Sequence, residues 1–233
     1  MDRSLLSALN EERRNRRAAL VLTDMTSGAQ RLIRGADVDA ERDADELHRI
    51  LLSGKSRMQA QDNGERFIEV HLPAVRFVII GAVHISQALA PMAAATGFDV
   101  TVIDPRTAFA TPERFAGVNL VAEWPDEVLA DAPLDRWCAL AALTHDPKID
   151  DGPLAAALKA QCFYVGALGS RKTHGKRLDR LREAGLDDAA LGRIQAPIGL
   201  DIGAQSPSEI AVAVLGEVIA ALRGKDVRRE AKV

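Results

Sequence analysis

Arg76-Phe77-Val78-Ile79-Ile80-Gly81-Ala82-Val83-His84-Ile85-Ser86 decides the fold. An apolar run enters a glycine turn and passes into a helical pattern. Asp99-Val100-Thr101-Val102-Ile103-Asp104 follows. It places an acid about 20 residues past the turn, where a nucleotide-binding βαβ unit carries one. The G-x-G-x-x-G/A fingerprint of that unit is incomplete, with Val83 at its second glycine and Ser86 at its third small position. A branched side chain at 83 would meet a pyrophosphate in the ordinary pose. A ligand is therefore expected to be held differently from a standard dinucleotide. The competing reading is a right-handed crossover with no ligand at all.

Outward from this stretch, strands alternate with helices. Segments 76–80, 99–103, 119–121, 138–143 and 163–167 read as strands, and several are continuous apolar runs, as burial on both faces of a parallel sheet requires. Helices are expected to start near His84, Gly152, Ser170 and Ser206. Pro91 should bend the first of them, and Gly97 suits its C′ position. The fold class is α/β, a Rossmann-like doubly wound parallel sheet.

The earlier residues differ. Segments 18–23 and 30–33 read as short strands around the turn at Thr26-Ser27-Gly28, and 43–52 as a helix. Segment 67–72 alternates as a half-buried strand should, and Pro73 breaks it. The expected organisation is a small α+β N-terminal lobe over 1–73, the Rossmann-like domain over 74–224 and a polar tail over 225–233.

Composition excludes several classes. At 233 residues with 47% hydrophobic content, the chain can bury a sizeable core, and with only 4% aromatic residues that core is aliphatic. A net charge of −3 gives no case for nucleic acid. The two cysteines cannot build a disulfide framework or a four-thiolate zinc site, so reduced thiols in a cytoplasmic protein are expected. Cys138 reads as core and Cys162 as partly exposed. No segment reads as a membrane span: 210–222 is too short and Glu217 interrupts it. The cluster Arg13, Arg14, Arg16 and Arg17, with Glu11 and Glu12 beside it, reads as a solvated helix face.

Ligands of a doubly wound sheet sit beyond the carboxyl ends of its strands. The first strand delivers Gly81, Ala82, Val83 and His84 there. The second delivers Asp104, which could accept bonds from a ribose diol, and Arg106, which could pair a phosphate. The next delivers His145 and Asp146, as an acid/base pair or as loop organisers; a metal role is weakly supported, and a direct dyad requires the strand to have ended. Then come Gly166 and Gly169-Ser170-Arg171-Lys172, where two cations in a first helical turn oppose the helix dipole unless an anion sits there. Ser206-Pro207-Ser208-Glu209 is a complete capping box. The loop before it, with Gly199, Asp201, Gly203 and Ala204, has no such structural explanation and reads as a ligand loop.

Taken together, these blocks resemble the xanthine dehydrogenase accessory protein family (XdhC/CoxI). The likeness rests on Val78-Ile79-Ile80-Gly81-Ala82 with His84, Val102-Ile103-Asp104-Pro105-Arg106 with Phe109-Ala110, and Leu143-Thr144-His145-Asp146. It continues in Tyr164-Val165-Gly166-Ala167-Leu168-Gly169-Ser170-Arg171 and in Pro197-Ile198-Gly199-Leu200-Asp201-Ile202-Gly203-Ala204 with Pro207 and Glu209-Ile210-Ala211. The resemblance implies a maturation chaperone, not itself an enzyme, that binds and shields the molybdenum cofactor (molybdopterin, mononucleotide or dinucleotide). It implies delivery to a molybdenum hydroxylase apoenzyme of the xanthine or carbon monoxide dehydrogenase type, a homodimer, and contact with a cysteine desulfurase. Two departures stand out. The family's glycine turn usually has glycine where Val83 stands, and its glycine-glycine-cysteine segment is missing from residues 1–73, which hold no cysteine. The chain reads as a divergent or N-terminally shortened member. Two other readings stay open: an NAD(P)-dependent oxidoreductase, for which the lone Tyr164 lacks a lysine four residues on, and a ligand-free interaction module.

Overall fold

The computed structural model describes residues 2–61 and 64–224. The expected polar tail lies outside them. The chain divides into two compact units between Ala74 and Val75.

The first unit is an antiparallel sheet in the order β2-β1-β4-β3, built from β1 (Ala19–Asp24), β2 (Gln30–Arg34), β3 (Arg57–Gln61) and β4 (Gly64–His71). Its central strand β1 is buried at four consecutive residues, Ala19 to Leu22, because the sheet is covered on both faces. Ala19 and Val21 pack with Leu5 and Leu9 of α1 (Arg3–Arg14), and Leu20, Leu22 and Ile68 pack with Leu47 and Ile50 of α2 (Ala44–Ser53). The arginine cluster is only partly solvated helix. Arg17 lies past α1 and pairs with Glu12, whose side chain is buried, and Arg34 joins the same carboxylate. The sequence reading missed β3, an edge strand exposed on nearly every residue, so no periodicity marks it.

The second unit is a six-stranded parallel sheet in the order β10-β9-β8-β5-β6-β7. Its strands are β5 (Arg76–Ile80), β6 (Asp99–Ile103), β7 (Asn119–Val121), β8 (Cys138–Ala142), β9 (Tyr164–Ala167) and β10 (Ile194–Gln195). The chain starts in the middle at β5, runs outward to β7 and returns on the other side through β8. The switch point therefore lies between β5 and β8, which pair from Arg76 with Cys138 to Ile80 with Ala142.

Each β5 residue from 77 to 80 is buried, and the alternation divides them between two cores. Phe77 and Ile79 pack under α3 (His84–Ala95) and α8 (Pro207–Leu222). Val78 and Ile80 pack under α5 (Pro147–Lys159), with Leu181 of α6 (Arg171–Glu183) and Leu191 of α7 (Asp188–Leu191). Each such side chain contributes about 1.5–3 kcal/mol relative to exposure. A further helix, α4 (Pro125–Asp131), precedes β8.

Two local expectations change. The helix expected from Gly152 begins at Pro147, because Asp146 caps it by accepting from the Lys148 N–H and proline occupies the first turn. Cys162 is fully buried beside Cys138, not partly exposed. Pro91 lies inside α3, and Gly97 stands at C′ with φ 92°, as expected.

Candidate functional site

The carboxyl ends of β5 and β8 bring two turns together. Gly81 has φ 110°, a conformation open to glycine, and a Cβ there would lie 2.7 Å from Thr144 Cγ2. Gly81 is thus required twice, by its own backbone and by the neighbouring turn. The buried Ser86 hydroxyl donates to the Gly81 carbonyl at 2.5 Å. Val83 is the N-cap of α3, with extended backbone and no side-chain capping bond. Its side chain packs partly on the apolar layer beneath α3 and α8, which is how valine is accommodated where the fingerprint has glycine. The start of α3, with exposed His84, has no side-chain cap and faces the switch point with amide groups and a positive dipole end.

Asp104 is fully buried, and its carboxylate accepts four bonds. Ala82 N–H and Arg106 Nη2 donate to Oδ2, each at 2.7 Å; Arg106 N–H and Nε donate to Oδ1, each at 2.9 Å. Burial alone would raise its pKa, but the Arg106 guanidinium and the two amides together hold it below the ordinary value. The same hydrogen bonds raise Arg106. A ribose diol would have to displace donors from this carboxylate. In the structure Asp104 clamps the glycine turn to the end of β6. The Arg106 guanidinium also lies 4.8 Å from the centroid of the Phe109 ring, whose exposure makes it an accessible apolar plate.

The β8 turn is organised by a residue the sequence reading passed over. Asp150, buried on α5, accepts from Thr144 Oγ1 at 2.7 Å and from the His145 N–H at 3.0 Å. Burial raises its pKa. His145 takes φ 64° and is exposed, while Asp146 turns back to cap α5, so the two do separate jobs and form no dyad. A Cβ on Gly169 would lie 3.8 Å from His145 Nδ1, which places the imidazole beside the start of α6.

At that start Ser170 caps by accepting from the Thr173 N–H, and Arg171 and Lys172 are exposed. Gly166 is buried: a Cβ there would run into the Tyr164 hydroxyl and Ile198, so the strand-end space above it is filled by protein. The loop before α8 is anchored at Gly199, whose N–H donates to Glu217 Oε2 at 2.9 Å; Tyr164 Oη donates to the same oxygen at 2.6 Å. Beyond this anchor Asp201 and Gly203 are exposed, with Ala204 half-buried.

Asp150, Glu217 and Arg177 were missed as site-building groups because their roles arise only on burial. Two faint signals existed. Glu217 interrupts an apolar helix, and Arg177 stands four residues before the buried Leu181, on the face that meets the core.

The cysteines lie at the opposite edge of the sheet, since Cys138 opens β8 and Cys162 lies two residues before the start of β9. Cys162, the Arg76 guanidinium and the Asp135 amide lower the Cys138 thiol to about 7, and hydrogen bonding to Cys138 together with burial raises Cys162. No group of three or more metal-ligating side chains occurs among the described residues, and no described helix is long and apolar enough to cross a membrane.

The XdhC Rossmann domain family model matches residues 77–218. Among similar proteins, the molybdenum cofactor insertion chaperone PaoD of Escherichia coli (strain K12) is 35% identical over 146 residues, 63% of this chain and 40% of PaoD. A probable xanthine dehydrogenase component of Bacillus subtilis (strain 168) is 32% identical over 154 residues, 66% of this chain and 44% of that protein. The uncharacterized protein YqeB of the same E. coli strain is 33% identical over 153 residues, 66% of this chain and 28% of its own length. The matched part thus spans less than half of each relative. A crystal structure described as a xanthine dehydrogenase from Bacillus halodurans shares the fold, with TM-score 0.64 and 20% identity, covering 97% of this chain and 66% of that one.

Proposed function

The chain belongs to the XdhC family, and from that premise we propose that it binds the molybdenum cofactor and delivers it to a molybdenum hydroxylase apoenzyme. The observation that carries this reading is the match of the whole Rossmann unit to the family, including 35% identity to a molybdenum cofactor insertion chaperone.

The residues present fit this cofactor by its phosphate and pterin. The uncapped start of α3, Arg106, and exposed Arg171 and Lys172 are suited to a phosphate. The exposed backbone of 201–203 offers donors and acceptors to the edge of a pterin. The donor set for molybdenum itself is different: both cysteines are buried at the far edge, so no thiolate of the described residues reaches this end of the sheet. The chain would therefore hold the cofactor by its organic part and leave the metal uncoordinated by sulfur from the protein. Once installed in the hydroxylase, the cofactor supplies the redox-active molybdenum. The chaperone's own residues bind, orient and shield it.

A nicotinamide dinucleotide is less well served. Its usual ribose acceptor corresponds to Asp104, whose oxygens already accept four bonds. NAD(P) therefore serves as the control ligand. The resemblance extends the proposal to a cytoplasmic homodimer that meets a cysteine desulfurase, and leaves mononucleotide and dinucleotide cofactor as alternatives; sedimentation and pull-down from a cell extract address the two contacts. The delivery step is tested by mixing cofactor-loaded protein with a molybdenum hydroxylase apoenzyme. Activation should be faster than with the same concentration of free cofactor. Equal rates would overturn the chaperone role.

A further inference from the structure

On α6, three buried nitrogens have no hydrogen-bond partner within the described residues of the protein. Arg177 is 2% exposed, and its Nη2 donates to the Leu168 carbonyl at 2.9 Å, while Nε and Nη1 have no hydrogen-bond partner. His174 Nδ1, one helical turn earlier, is also buried and unpartnered. Residues three apart share a helix face, and helical side chains lean toward the N-terminus, so both reach back beneath the Gly169–Ser170 turn.

Arg177 forms a buried ion pair with Asp150 through Nη2, but that contact leaves Nε and Nη1 unserved. The nearest carboxylate, Asp150, stands 4.0 Å from Nη2 and is already engaged by Thr144 and His145. Buried guanidinium donors without a protein acceptor are costly and rare, and they call for an acceptor from water, an ion or a ligand.

We infer that Arg177 and His174 line an oxyanion subsite beneath the start of α6, which takes the phosphate or pyrophosphate group of the bound cofactor. The inference rests on the cofactor-binding reading and assigns its anionic end. Nε and Nη1 donate to the phosphoryl oxygens, and Nδ1 of His174 donates in the tautomer that carries its proton there. The first amides of α6 point the same way, and Arg171 and Lys172 stand at the rim. Gly169, at φ 140°, takes a conformation that other residues rarely adopt, and this sets the course of the turn over these nitrogens.

The test uses the full chain stripped of ligand, titrated calorimetrically with inorganic pyrophosphate. Wild type should bind, Arg177→Lys roughly 10-fold more weakly and Arg177→Gln roughly 100-fold more weakly, as loss of hydrogen bonds to a charged group predicts. His174→Gln should fall between wild type and Arg177→Gln. If Arg177→Gln does not fold, Arg177→Lys carries the test. No binding by wild type, or unchanged binding by Arg177→Lys, overturns the subsite. A parallel titration with molybdopterin separates the two claims. Cofactor bound equally by wild type and Arg177→Lys sinks the subsite and leaves the function reading standing. Arg177-dependent pyrophosphate binding with no cofactor affinity sinks the function reading and leaves the subsite.

Discussion

Asp104→Asn is the substitution whose effect the structure specifies best. The native carboxylate receives four N–H donors in a fully buried position. Asparagine keeps one oxygen and replaces the other with an NH2 group. Whichever way the amide turns, two donors lose their acceptor and face another donor. Breaking a buried ionic contact in this way costs about 3–5 kcal/mol. Arg106 is a third exposed, so water re-solvates part of it, and the lower end of about 3 kcal/mol applies. In a unit of this size 1 kcal/mol moves the midpoint about 2–4 °C, which gives a fall of roughly 6–12 °C. Thermal unfolding of the ligand-free chain, followed by circular dichroism, measures it. A shift under about 2 °C would refute the clamp. It would show that Asp104 is reserved for a ligand.

Other outcomes follow from the same geometry. Gly81→Ala should cost about 2–4 kcal/mol in urea unfolding, from the φ of 110° and the collision with Thr144. Tyr164→Phe removes a donor from the buried Glu217 carboxylate, so it should cost about 1–3 kcal/mol and weaken cofactor binding through the Gly199 anchor. The pH dependences of two carboxylates should have opposite signs. Asp104 has a lowered folded pKa, so its contribution is present above about pH 4 and lost as pH falls; the stability gap between wild type and Asp104→Asn should therefore close in acid. Asp150 has a raised folded pKa, so its contribution is present below about pH 4 and lost as pH rises; the gap between wild type and Asp150→Asn should narrow toward alkaline pH. Urea unfolding at several pH values reads both, and gaps that do not change with pH contradict them.

The parallel sheet was legible because its central strands are buried on both faces and leave continuous apolar runs that few other structures produce. The glycine turn and the acid after β6 were legible for the same reason that a ligand finds them: both sit at fixed points of the βαβ unit. What each residue does was less legible. Asp104 occupies the motif position but holds the turn. Gly166 makes room for Ile198. Asp150, Arg177 and Glu217 organise three separate loops from the helix that follows each, and only burial gives them these partners. The edge strand β3 was lost because solvent on both sides removes any pattern, and the start of α5 was misplaced because Gly152 was read as its boundary when Asp146-Pro147 supplies the cap.

Cofactor binding is proposed at the carboxyl edge of the parallel sheet. It is tested most directly by purifying the chain from a molybdenum-replete host and measuring molybdenum and oxidised pterin per protomer, followed by titration of the stripped protein with cofactor and with NAD(P)H. Near-stoichiometric pterin and saturable cofactor binding are expected, with no binding of NAD(P)H. Nicotinamide binding without pterin would contradict it in favour of an oxidoreductase, and binding of neither would leave a protein-interaction module.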